Sequence, residues 1–284
     1  IILILFGLIT ISKSYGDDQF NFDVTNVEIL ENGTLFKGSN KGVVTSENGV
    51  IINADNFEYD KTQNILKAFG NVKVIDSIEN FTIFSNKLIY LKNDEIILSE
   101  SGSRAEDNDG KKITADKFKY EKNKNILDAK GNVKIEDKIN SYKLFAEEVS
   151  YFKNQDKLIT QGKTTSKIKS KYEIISEDVL FLNKTGNLSS KKKTTIKDDN
   201  KNVYILDNFI YLINEEKLKG NNIIAISNFN LPKSDKLYFS SAIIDLKTQN
   251  FIAKDTLIEV HNDIFGNIKN NPRLKSVSSN KDGN

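Results

Sequence analysis

The chain has 284 residues, and its 41 basic and 39 acidic side chains leave a formal net charge of +2. This balance argues against a nucleic-acid-binding protein, whose surface needs an excess of positive charge. The sequence has no cysteine and one histidine, His261, which excludes disulfide bonds and argues against a structural zinc site. We therefore expect neither a metal nor a cofactor.

The chain opens with an apolar segment, residues 1–11, followed by Ser14, Tyr15 and Gly16. A short apolar run before small residues is typical of a signal peptide, and this run is shorter than the roughly 20 residues of a spanning helix. We expect residues 1–16 to be a signal peptide, incomplete at its N-terminus, with an uncleaved anchor as the alternative. The mature domain would then lie in the periplasm.

An internal repeat dominates the rest of the chain. Residues 52–76 and 113–137 align without a gap, and 15 of the 25 positions are identical. Each 61-residue copy is itself double, because Ala54-Asp55-x-Phe57-x-Tyr59 recurs about every 30 residues. Seven such units cover residues 52–260, and residues 20–49 resemble a degenerate leading unit. A period of this length is typical of arrays in which each unit packs on its neighbours.

The pattern inside each unit has a period of two. Phe57 and Tyr59 share one side of the chain, and Leu66, Ala68, Val72 and Val74 form another such line. This alternation predicts half-buried strands, and asparagine and glycine at regular intervals predict the turns between them. We predict an all-β, elongated antiparallel repeat array over residues 17–260, folded so that its apolar faces meet in an interior.

Small residues recur among the inward-facing positions: Ala68, Ser99, Ala129 and Thr160. One interpretation is that they leave the interior incompletely filled by the protein's own side chains. The other is that they let two sheets approach each other closely. The sequence pattern does not decide between them.

Acidic residues also recur at one place in the repeat, namely at Asp55, Asp116, Glu147, Glu177 and Asp207. A row of carboxylates could bind calcium or act in acid–base catalysis. However, a catalytic site is needed once, whereas an architectural solution is needed in every unit. The repetition therefore favours a structural role in which each acid satisfies local backbone donors, and we expect no enzymatic activity.

The tail, residues 261–284, breaks the repeat and is rich in turn-forming residues. We interpret it as a linker toward a further domain, and a docking loop around His261 is the alternative.

The repeat resembles that of the OstA-like proteins of lipopolysaccharide (LPS) transport. The likeness rests on Ile-x-Ala-Asp-x-Phe-x-Tyr, found at residues 52–59 and 113–120, and on Leu-x-Ala-x-Gly-Asn-Val-Lys, found at 66–73 and 127–134. Within this superfamily, residues 251–274 are similar to the segment that precedes the barrel in the LptD family, the outer-membrane LPS-assembly proteins. The barrel itself and the family's cysteines are not present in this sequence.

The resemblance implies a β-jelly roll or folded "taco" sheet, open along one seam, that shields LPS acyl chains and passes them toward an outer-membrane barrel. Its implied partners are LPS, an LptA-like periplasmic bridge, the barrel and the barrel's lipoprotein. The candidate lining of the lipid groove consists of Phe57, Leu66, Val72, Val74, Phe118, Leu127, Val133, Ile135, Val149 and Val179. The candidate edge strand for the bridge carries Phe22, Val24, Val27 and Ile29.

Two other functions fit the repeat pattern. An extracellular β-solenoid that binds or cleaves polysaccharide would need acids and aromatic residues clustered on one unit, whereas the acids here are periodic. A purely structural spacer would need an interior filled by its own side chains.

Overall fold

The computed structural model describes residues 20–266 and 269–282. The signal-peptide prediction, residues 1–16, lies outside them. The described residues form 23 strands and five short 3-10 turns, and the strand pairings between them are antiparallel in one continuous sheet. The prediction of an all-β antiparallel array is confirmed. No helix in this part of the chain is both long and apolar enough to cross a membrane.

The strands follow one another as a meander. Their bounds are β1 Phe20–Leu30, β2 Leu35–Ser46, β3 Val50–Ala54, β4 Asn56–Asp60, β5 Ile65–Asp76, β6 Phe81–Leu91, β7 Ile96–Glu100, β8 Ser103–Asp107, β9 Lys112–Ala115, β10 Lys117–Glu121, β11 Ile126–Asp137, β12 Tyr142–Phe152, β13 Lys157–Ile168, β14 Tyr172–Glu177, β15 Leu180–Leu182, β16 Asn187–Ser190, β17 Thr194–Lys197, β18 Val203–Leu206, β19 Asn208–Leu212, β20 Lys217–Ile226, β21 Lys236–Asp245, β22 Phe251–Glu259 and β23 Arg273–Lys281.

Every long strand is interrupted near its middle. Some strands are split in two there, as β3 and β4 are at Asp55, and others carry a bulge, as β5 does between Phe69 and Val72. Both halves of β5 keep their apolar side chains in the same core. The interruptions lie side by side across the sheet, and we call this line of residues the fold line. The sheet doubles over along it, so that two half-sheets face each other.

The recurring acids hold this bend. Asp55 accepts a hydrogen bond from Asn71 (Oδ2–Nδ2, 2.7 Å), and its backbone N–H donates to the carbonyl of Gly70 at 3.0 Å. The same pair of contacts recurs at Asp116 with Asn132 and Gly131. The carboxylate thus binds the asparagine side chain of the bulge, while the backbone N–H of the acid pairs with the carbonyl of the bulge glycine. These contacts support a structural role for the repeated acids.

The row agrees with the sequence pattern at Asp207 and departs from it at Glu177. Asp207 accepts from Asn222 at 2.7 Å, as expected. At the next fold-line position the acid is Asp178 rather than the predicted Glu177, and it accepts from the backbone N–H of Gly162 at 2.9 Å. The bulge there shifts the register by one residue, which the spacing of the repeat did not reveal.

The interior beside the fold line alternates large and small side chains from strand to strand. Phe57 pairs with Ala68, Ala68 with Leu88, and Leu88 with Ser99. The series continues through Phe118, Ala129, Val149 and Thr160. The concave side of a sharply bent sheet is crowded, so each small residue accommodates its large neighbours. Of the two interpretations that the sequence left open, these pairings support close approach, with the large neighbours filling the space beside each small residue.

Gly70 and Gly102 offer a matched test of the bend, because both have φ of +74°. A Cβ at Gly70 would lie 2.6 Å from the Asp55 carboxylate, whereas a Cβ at Gly102 meets nothing within 4 Å. We expect Gly102→Ala to lower the free energy of unfolding by about 1 kcal/mol through backbone strain alone. Gly70→Ala should cost at least about 1 kcal/mol more, because it also displaces Asp55 from Asn71. Chemical denaturation measures both, and equal losses would contradict this account of the fold line.

Candidate functional site: the interior and its seam

The ten predicted lining residues all lie in one apolar core, on the inner faces of the two half-sheets. The sequence could not tell which alternating line faces inward, and the structure places Phe57, Leu66 and Val72 on the same inner surface as Phe118 and Val179. None of the ten is more than 3% exposed. In this closed form the protein's own side chains fill the interior along the central units.

Opposite the fold line, the turns at the two ends of the long strands meet. We call the turns at 61–64, 92–95, 122–125, 153–156, 183–186, 213–216 and 246–250 row A, and those at 47–49, 77–80, 108–111, 138–141, 169–171, 198–202 and 227–235 row B. An 11-residue strand spans about 36 Å when flat, yet row A and row B are in hydrogen-bond contact. Their line of contact is the seam of the folded sheet.

Polar side chains of the two rows and of the strand ends beside them close the seam, and six of their hydrogen bonds mark its length. Each joins residues 41 to 47 positions apart in the chain. The contacts are Asn48 Nδ2 to Glu95 Oε1 (2.7 Å), Tyr120 OH to Asp76 Oδ2 (3.2 Å), Lys111 Nζ to Asp156 Oδ1 (2.7 Å), Tyr142 OH to Asn183 Oδ1 (3.0 Å), Tyr172 OH to Glu216 Oε2 (2.7 Å) and Tyr204 OH to Gln249 Oε1 (2.9 Å).

Lysines reinforce the seam. Lys122 lies 3.4 Å from Asp76, Lys153 lies 3.8 Å from Glu79, and Lys169 donates to Glu216 at 2.8 Å. The hydrogen bond from Lys169 lowers the pKa of Glu216, against an opposing effect of burial. Burial raises the pKa of Tyr142 well above its ordinary value. At neutral pH the lowered pKa keeps Glu216 charged, and the raised pKa keeps the Tyr142 phenol protonated.

The regular offset of the seam leaves the C-terminal end of the interior uncovered. The 227–235 turn of row B would need a row A partner about 45 residues further on, where the chain forms the edge strand β23 instead. Beyond the last contact, between Tyr204 and Gln249, a cavity of about 260 Å³ opens between the half-sheets. Its apolar walls include Leu237, Phe239 and Phe251. Sequence reasoning missed these three residues, because the repeat is weakest here.

The predicted edge strand is β1, and within the described residues it pairs with β2 alone. Val27 and Ile29 are 52% and 59% exposed, whereas Phe22 and Val24 pack partly against the core. Phe22 also contacts an aromatic cluster of Phe20, Phe36 and Tyr59, which covers this end of the interior. The other edge of the sheet is β23, which pairs with β22.

The segment after β22 contains a strand that the sequence did not predict. We expected residues 261–284 to be a linker, but Arg273–Lys281 forms β23 in register with β22. His261 anchors the loop before it, since Nδ1 lies 2.8 Å and the backbone N–H nitrogen 2.9 Å from Asp235 Oδ1. Among the described residues, no group of three or more histidine, aspartate or glutamate side chains is arranged to hold a metal ion.

Comparisons with known proteins give a partial likeness among solved structures. No family model matches the chain, and no curated protein matches it. Among solved structures, the chain is similar to LptH from Pseudomonas aeruginosa, described as the LptA-homologous periplasmic component of the LPS transport device. The identity is 19% and the TM-score 0.37, over 40% of this chain and 83% of that one. We base no inference on a likeness of this size.

Proposed function

We propose that this protein is a non-enzymatic, periplasmic carrier that shields the acyl chains of lipopolysaccharide between its two half-sheets. The observation that carries the proposal is the contrast between the two long sides of the folded sheet. The strands continue across the fold line with backbone pairing on both sides of it, whereas the seam is joined by separate side-chain contacts. The half-sheets can therefore move apart on the seam side while the strand ladder stays intact.

The energetic reason is the burial of acyl chains. Transfer of a methylene group out of water is favourable by about 0.8 kcal/mol. The inner surface offers a mostly apolar lining from Phe57 to Val179, and similar units give a lipid similar environments along it. Because the closed interior is filled, an acyl chain enters as the half-sheets separate, and the cavity beside Phe251 is where the least movement is needed.

The repeat supports a finer assignment within the same proposal. Its likeness to the OstA-like proteins, together with the similarity of residues 251–274 to the segment before the barrel, favours the N-terminal periplasmic region of LptD. On this proposal the chain is attached to the outer membrane in the full-length protein. It passes lipid toward a barrel with a lipoprotein partner, and residues 261–284 lead from β22 to that barrel.

Site-specific photo-crosslinking tests the lipid carrier. We expect benzoylphenylalanine at Phe251 or Phe118 to give an LPS adduct, because both side chains face the interior. The matched control is Phe84, which faces outward beneath the guanidinium of Arg104 at 4.2 Å. A spacer would give no adduct at any of the three positions. A polysaccharide-binding protein would instead be labelled by the lipid-free sugar chain, and either result would reject the carrier.

We further propose that β1 accepts a strand from an LptA-like bridge, because an unpaired strand edge can extend a sheet into a partner. N–H groups alternate in direction along a strand, so either Val27 or Glu28 points its N–H away from β2. Of Val27→Pro and Glu28→Pro, the variant that keeps the wild-type melting temperature should lose binding to the bridge in a pull-down assay. Val277→Pro, on the edge strand β23, is the control. Full binding by both β1 variants would refute the edge assignment.

A further inference from the structure

Lysines recur at the seam with the period of the repeat. Lys92, Lys122 and Lys153 each open a row A turn, at the same place in three successive units. Their side chains are 8%, 10% and 16% exposed. Lysines are rarely buried to this extent, because removing an ammonium group from water is costly unless it is paired.

Each of these ammonium groups has a carboxylate partner in the closed form. Lys92 pairs with Glu95 in its own turn, whereas Lys122 and Lys153 pair across the seam with Asp76 and Glu79. An aromatic ring also lies near two of them, at 5.8 Å for Lys92 over Tyr90 and at 5.7 Å for Lys153 over Phe81. The lysines thus stand where the polar seam meets the apolar interior.

Opening the seam changes this balance. When the half-sheets separate, Asp76 and Glu79 move away with row B, and Lys122 and Lys153 lose their partners. An unpaired ammonium group at the rim of an apolar groove favours an anion. Adjacent strands lie about 4.8 Å apart and successive row A turns are two strands apart, so the lysines are spaced by about 10 Å along the rim.

We propose that Lys92, Lys122 and Lys153 form a row of binding sites for the phosphate groups of an anionic lipid, and that Lys122 and Lys153 exchange their carboxylate partners for phosphate when the seam opens. This inference rests on the proposed carrier function and adds the chemistry of the headgroup to it. The acyl chains lie inside, and the phosphates stay at the seam, where each meets the next lysine as the lipid moves along the array.

The test compares two forms of one lipid, a diphosphorylated glycolipid and its dephosphorylated counterpart, in binding to the full chain. The variant is Lys92→Gln, Lys122→Gln and Lys153→Gln together. Its control is Lys67→Gln, Lys87→Gln and Lys130→Gln, which removes three lysines from exposed pairs with Glu58, Glu100 and Glu148. The readout is the ratio of the two dissociation constants, because a seam loosened by the substitutions would strengthen binding of both lipids together.

We expect wild type and control to prefer the phosphorylated lipid by about tenfold or more, and the seam variant to lose this preference. An unchanged preference in the seam variant would overturn the inference. So would a wild-type protein that binds inorganic phosphate alone but shows no preference for the phosphorylated lipid. Equal binding of both lipids by the wild type would reject the phosphate sites and leave the carrier intact, whereas binding of neither would reject the carrier itself.

Discussion

A carboxylate at the fold line closes the bend of the sheet in unit after unit: Asp55 holds Asn71, Asp116 holds Asn132 and Asp207 holds Asn222. Each bulge takes backbone groups out of the strand ladder; the backbone N–H of the acid pairs with a carbonyl of the bulge, and the carboxylate binds the asparagine side chain beside it. Because the bends are in line, the two halves of every long strand face each other and bury one common interior. The seam, the core and the two open ends all follow from that alignment.

The two long sides of the folded sheet are chemically different. The fold-line side is stabilised by backbone pairing between neighbouring strands and by the close packing of alternating large and small side chains. On the seam side, the two rows of turns are joined by separate side-chain contacts, such as that between Tyr172 and Glu216. The seam is therefore the side on which the half-sheets can separate without unfolding.

Much of the fold could be predicted from the sequence, because repeated local patterns encode it. Period-two alternation indicated the strands, and recurrence of Asp55 and Asp116 indicated an architectural role for the acids. The seam could not be predicted, since each contact joins residues more than 40 positions apart and uses different residue types, such as Lys111 with Asp156 and Tyr142 with Asn183. The strand β23 also escaped prediction, because it lies after the repeat and pairs through its backbone.

The ten candidate lining residues share one face of the sheet because they alternate with residues on the other face, and only the structure shows that this shared face is the inner one. Whether that face is filled depends on distances across the interior, which a pattern along the chain does not contain. The central claim is that acyl chains occupy the space between half-sheets that separate at the seam.

Locking the seam tests this claim most directly, and the chain has no cysteine of its own to interfere. Two pairs of exposed residues lie beside seam contacts and can be replaced by cysteine. The substitutions are Glu47→Cys with Asp94→Cys, and Ser141→Cys with Lys184→Cys. A reducible crosslinker with two thiol-reactive groups, attached across both pairs, should abolish LPS binding. Cleavage of the crosslinker by reduction should restore LPS binding. The same reagent joining Glu47→Cys to Ile78→Cys, both in row B, should leave binding unchanged. Undiminished binding by the doubly locked protein would contradict the account.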